Sequence, residues 1–140
     1  PDPVTDRLRL LAYLWPDQPD RLSRTRAALD QAAILRPPVT RADAADWLDL
    51  RLATPTTGTT HIVFHTVAAQ YFPEPTRARI KASLAAAGAR ATAAAPLAHL
   101  AMETDGQPDG AALTLTTWPE GRTEPLGRAC FHGRWVRWQA

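Results

Sequence analysis

An α/β fold built around a mixed sheet is what this sequence predicts, and three observations carry the prediction. HIVFHTV at 61–67 is a nearly continuous run of β-branched, aromatic and histidine residues, as expected of a strand. Segments with apolar residues at helical spacing lie on both sides of it, at 21–35 and 74–89. The C-terminal part then turns β-rich, with two strand patterns around the turn PEGR at 119–122. Strands that alternate with helices pair in parallel, and an antiparallel hairpin at the end makes the sheet mixed.

In chain order, VTDRLRLLAYLW (4–15) puts Leu8, Leu11 and Leu14/Trp15 on one helical face after Thr5, which can cap. A strand with Leu8, Leu10, Ala12 and Leu14 in alternation fits nearly as well. Pro16 and Pro19 interrupt the pattern, and Asp17 or Asp20 can open the helix at 21–35, which Arg36-Pro37-Pro38 stops. A short strand is expected at Val39–Arg41, then an acidic turn and a short helix with Trp47, Leu48 and Leu52. TPTTGTT (54–60) reads as a loop before the strand at 61–67. After Pro73 comes a helix with Ile80, Leu84 and Ala87 in register and Gly88 at its end. Strands follow at 95–104, 111–118 and 124–138. One domain over 1–140 is expected: helical to 37, alternating strand and helix over 38–110, and a terminal hairpin over 111–140.

The 140 residues suit a modest single core, and 45% hydrophobic against 21% charged residues excludes a disordered chain. The net charge is +2, and 15 arginines accompany a single lysine, Lys81. The arginines are scattered, so no nucleic-acid surface is expected. No apolar run approaches the ~20 residues of a membrane span. Cys130 stands alone, so no intrachain disulfide forms and a cytoplasmic setting is expected. The first residues lack both a signal-peptide pattern and a methionine, which points to a piece of a longer protein.

Ligands of open α/β sheets bind beyond the carboxyl ends of the parallel strands. Three places in the sequence meet that condition. Asp43, after the strand expected at 39–41, can accept hydrogen bonds from a bound nucleoside or can cap the next helix. His61 and His65 lie on one face of one strand, about 13 Å apart, too far to share a metal. His65 is nearer the strand's carboxyl end, where with Thr66 it can donate to a substrate or act as a base, or can simply bond to backbone. Glu103 ends the strand LAHLAMET, near the aromatic segment FHGRWVRW. No metal motif, Walker loop, GxGxxG or GxSxG occurs in the chain.

RLRLLAYLWPDQPDRLSRTRAALDQAA, VTRADAADWL, VFHTVAAQYFP and HGRWVRW together resemble an uncharacterised bacterial family, domain of unknown function 2332, over nearly the whole chain. Members of that family look like class I S-adenosylmethionine-dependent methyltransferases in fold. The resemblance therefore implies a partial Rossmann-like methyltransferase sheet, acting on a small molecule. It implies Asp43 as an adenine contact, His65 and Tyr71 as catalytic, and Thr66, Gln70 and Glu103 as pocket residues. The family's Gly-rich cofactor loop falls upstream of this chain. S-adenosylmethionine is thus expected on a full-length parent, and no cofactor is expected on these residues alone. Without its parental neighbour, the strand at 61–67 would be an open edge, so a homo-oligomer is expected. The competing expectation is a binding or interaction module that keeps the sheet without the chemistry.

Overall fold

The computed structural model describes residues 3–139, which fall into two compact units that divide between Arg41 and Ala42. The first unit is a helix pair, α1 (Pro3–Ala12) and α2 (Pro19–Leu35). Pro19 sits in the first turn of α2, where its missing N–H costs nothing. Arg36 closes α2 in the left-handed conformation (φ 46°), its N–H bonding Ala32 O at 2.9 Å. An ion pair, Arg7 Nη2 to Asp30 Oδ1 at 2.8 Å, joins the two helices. No residue of α2 is buried.

The second unit is an α/β layer pair. Its elements are α3 (Ala44–Arg51), β1 (His61–Thr66), α4 (Glu74–Gly88), β2 (Leu97–Glu103), β3 (Ala111–Trp118), β4 (Arg122–Ala129) and β5 (Val136–Trp138). The strand order is β1-β2-β3-β4-β5, with β1 parallel to β2 and every later pair antiparallel. A mixed five-stranded sheet with four helices is therefore observed. Strand–helix alternation stops after β2, and the rest is a meander.

Two sequence expectations change. No strand forms at 39–41, because Pro37 and Pro38 precede it and Val39 stays 89% exposed with no strand beside it. The strand expected over 124–138 is two strands, parted by a turn at Cys130–Trp135 in which Gly133 takes φ 70°. The terminal hairpin is thus part of a longer antiparallel meander.

The core is small and lies on one face of the sheet. Leu48 of α3 and Leu52 at its C-cap, Leu84 and Ala87 of α4 and Leu97 of β2 form it, with Val63, Ile80 and Trp118 packed against it. Arg79 of α4 fastens α3 by ion pairs to Asp46 and Asp49, both at 2.6 Å. Gly88 lets the Trp118 indole lie directly on α4, since a Cβ there would run into the ring. β1 is an edge strand whose residues alternate: Ile62 and Phe64 are 61% and 71% exposed, while Val63 and His65 face the helix layer.

Candidate functional site

Register builds the site. His65 pairs with Ala101 across the parallel β1–β2 ladder, so its side chain stands on one face between His99 and Glu103. Contact follows on both sides. His65 Nδ1 meets Glu103 Oε1 at 2.7 Å, and His65 Nε2 meets His99 Nε2 at 2.9 Å.

Glu103 also organises the loop after β1. Its Oε1 accepts the N–H groups of Ala68 (2.8 Å) and Ala69 (3.1 Å), and its Oε2 accepts that of Gln70 (3.4 Å). Val67, at φ 50°, turns the chain so that these three amides converge. A β-branched residue pays for that conformation in strain, and such strain persists only where surrounding contacts hold it. Here the carboxylate supplies them.

Electrostatics sharpen the roles. Burial pushes the Glu103 carboxyl up, but the Ala68 amide, His65 and the Ala69 amide outweigh it and hold the carboxyl below its usual range. An ionised Glu103 requires a proton on His65 Nδ1, which leaves His65 Nε2 to share a proton with His99. Burial, and then the neighbouring His65, push His99 below the ordinary imidazole value. His99 is therefore neutral near pH 7, and its Nδ1 has no partner among the described residues.

Two imidazoles this close invite a metal reading, and the geometry opposes it. Ring centroids 5.1 Å apart with nitrogens 2.9 Å apart describe rings meeting head to head. Ligands converging on one ion would bring the centroids closer for that nitrogen separation. No group of three or more metal-ligating side chains occurs among the described residues. The arrangement is a carboxylate–imidazole–imidazole chain suited to moving a proton.

The two histidines open into a cleft of about 430 Å³ between the sheet and α4. Its floor continues through Thr116, whose hydroxyl bonds Thr123 at 2.9 Å. Ile80, Leu84 and Trp118 give it apolar walls, and Arg77 and Lys81 of α4 bring positive charge. That size and lining suit a small molecule.

Of the residues singled out in the sequence, His65 and Glu103 are brought into direct contact. Gln70 donates its amide to the same carboxylate, and its side-chain Oε1 is buried without a donor. Thr66 lies exposed on the opposite face of β1 from His65, and Tyr71 is 75% exposed; neither lines the cleft. Asp43 caps α3, its Oδ1 accepting from Ala45 N–H (2.9 Å) and Asp46 N–H (3.1 Å). It too is absent from the cleft lining. Sequence reasoning missed His99 and the helix cations. The signal for His99 was its place four residues before Glu103 in one strand, which puts both on one face.

No helix among the described residues is long and apolar enough to cross a membrane. Comparison with curated proteins and with solved structures returned no match. A family model described as "Uncharacterized protein conserved in bacteria (DUF2332)" matches residues 1–138. Since that match takes in nearly every residue, the chain belongs to this bacterial family.

Proposed function

We propose that this chain is the C-terminal part of a methyltransferase-like cytoplasmic protein acting on a small molecule, and that the His65–His99 cleft is where the acceptor gives up its proton. The observation that carries the reading is the Glu103–His65–His99 chain, which starts at the carboxyl ends of β1 and β2, the only two parallel strands of the described sheet, and runs back to His99 in the first half of β2. Such an end is where open α/β sheets present chemistry.

The residues' own work can be followed proton by proton. An acceptor O–H or N–H transfers its proton to the free Nδ1 of His99. His99 releases the proton on Nε2 to His65 Nε2. His65, now carrying both N–H groups, is stabilised by the Glu103 carboxylate on Nδ1. Gln70 does not line the cleft; its Oε1 is buried without a donor, and its part in the reading is the backbone N–H that it gives to Glu103. Tyr71 would take part only after the 68–72 segment rearranges on a ligand, and Thr66, on the opposite face of β1, would take no direct part.

S-adenosylmethionine would supply an electrophilic methyl group. The residues present fit it poorly: Asp43 lies outside the cleft with one carboxylate oxygen engaged as a helix cap, and no described residue answers for the methionine or ribose. A firm grip on that cofactor would belong to a longer parent. The test is a thermal-shift titration of S-adenosylmethionine on full-length protein, with Asp43→Ala and His65→Asn beside it. Stabilisation that disappears in Asp43→Ala, with methyl transfer lost in His65→Asn, is expected. No shift at millimolar cofactor would favour a non-catalytic binding module instead.

The partner proposed is a second copy. β1 ends the sheet with Ile62 and Phe64 largely exposed, and two such edges can pair antiparallel about a twofold axis, extending one sheet across both chains.

A further inference from the structure

We propose that the cleft selects a small molecule with a carboxylate or phosphate group on an apolar body, and that Lys81 holds the anionic group. This rests on the reading of the cleft as an active site and names the substrate class for it. The charge of the lining is the first argument. Arg77 and Lys81 enter the cleft from α4, and no aspartate or glutamate lines it. Glu103 lies behind His65, its charge already met by the ring N–H and three amides. A concave site with one sign of charge concentrates the opposite sign.

The second argument separates the two cations. Arg77 is already engaged: its guanidinium bonds the Glu74 carboxylate and the Phe72 carbonyl. Lys81, the only lysine in the chain, has no hydrogen-bond or ion-pair partner among the described residues. One turn along α4 from Arg77 and beside the apolar Ile80 and Leu84, it offers an ammonium at the cleft with nothing to neutralise it. An apolar body would rest against Ile80, Leu84 and Trp118, and its ionisable acceptor would reach the histidine pair.

The experiment titrates this chain with 4-hydroxybenzoate, phenyl phosphate and the neutral 4-hydroxybenzamide, following the ring signals of His65 and His99 by NMR. At least one anion is expected to move both sets of ring signals and to bind about tenfold tighter than the amide at low salt, with the gap closing as salt rises. The tighter of the two anions identifies the group as carboxylate or phosphate. Lys81→Met keeps the apolar stem and should erase the gap, whereas Arg77→Met should leave most of it; melting curves confirm that both variants fold. Equal binding of amide and anions, an undiminished gap in Lys81→Met, or anion binding that leaves the histidine signals still would each overturn the proposal. An anion preference in a parent that transfers no methyl group would sink the active-site reading alone. Intact, His65-dependent transfer with no anion preference would sink only this inference.

Discussion

Glu103→Gln removes one charge and almost no volume, so its effect can be worked contact by contact. The amide oxygen will take the place of Oε1, where His65, Ala68 and Ala69 donate at 2.7–3.1 Å, and the NH₂ will face the weakest donor, Gln70, at 3.4 Å. Three charge-assisted hydrogen bonds become neutral ones, each losing roughly half its strength, and one donor faces another. The Glu103 side chain is 18% exposed, so water reduces the penalty. A loss of about 2 kcal/mol is the outcome, equivalent to a melting temperature lower by about 10 °C for a unit of this size. The assay is thermal unfolding by circular dichroism from pH 3 to 8. Because the folded carboxyl is held below its usual range, its stabilisation is present above the ordinary value near 4.3 and fades as the pH falls through the folded value. The gap between wild type and Glu103→Gln should therefore be full at pH 7 and close towards pH 3. Equal melting temperatures at pH 7, or a gap unchanged on acidification, would refute the view that this carboxylate holds the loop and His65 together.

His99 gives a separate window: its folded value lies below the ordinary imidazole value near 6.5, so the unfolded chain binds more protons and stability falls as pH drops below about 6.5. His99→Gln should flatten the stability profile between pH 7 and 5, and a profile as steep as wild type would count against a neutral, desolvated His99. Gly88→Ala ought to cost about 1–3 kcal/mol despite better helix propensity, since the new methyl displaces Trp118; a melting curve at or above that of wild type would show that the indole shifts freely. Phe64→Lys puts a charge on the β1 edge and should convert any self-associated protein to monomer in sedimentation, with folding unchanged. Wild-type protein that sediments as a monomer at high concentration would remove the edge-pairing proposal altogether.

Elements with a strong local signature were readable in the sequence. β1 announces itself by Ile62, Val63 and Phe64, though it ends at Thr66, one residue before the expected Val67; α4 does so by Pro75 in its first turn and by Ile80, Leu84 and Ala87 at helical spacing. The strand expected at 39–41 rested on two β-branched residues, Val39 and Thr40, and so short a run after two prolines has no neighbouring strand to pair with. β4 and β5 merged in the sequence reading because CFHGRW carries aromatics through the turn; only the positive φ of Gly133 breaks the run. The site was half legible for a related reason. His65 and Glu103 could each be placed at a strand end, but their contact spans 38 positions and depends on register. His99 looked like one more member of an apolar strand, because no local pattern says which residue of a neighbouring strand lies diagonally across from it. Asp43, conversely, suits either a nucleoside contact or a cap by sequence, and the cap is the role formed here.

The loop at 68–70 grips Glu103 through its peptide groups, and this has a consequence for how the family can vary. A cradle made of amides is blind to side-chain identity, so Ala68 and Ala69 can drift to serine or other small residues without loosening the carboxylate. The one residue type barred from either position is proline, which brings no N–H to donate. Saturation mutagenesis of this segment should therefore return a permissive profile with a sharp proline gap at 68 and 69, while position 103 tolerates almost nothing.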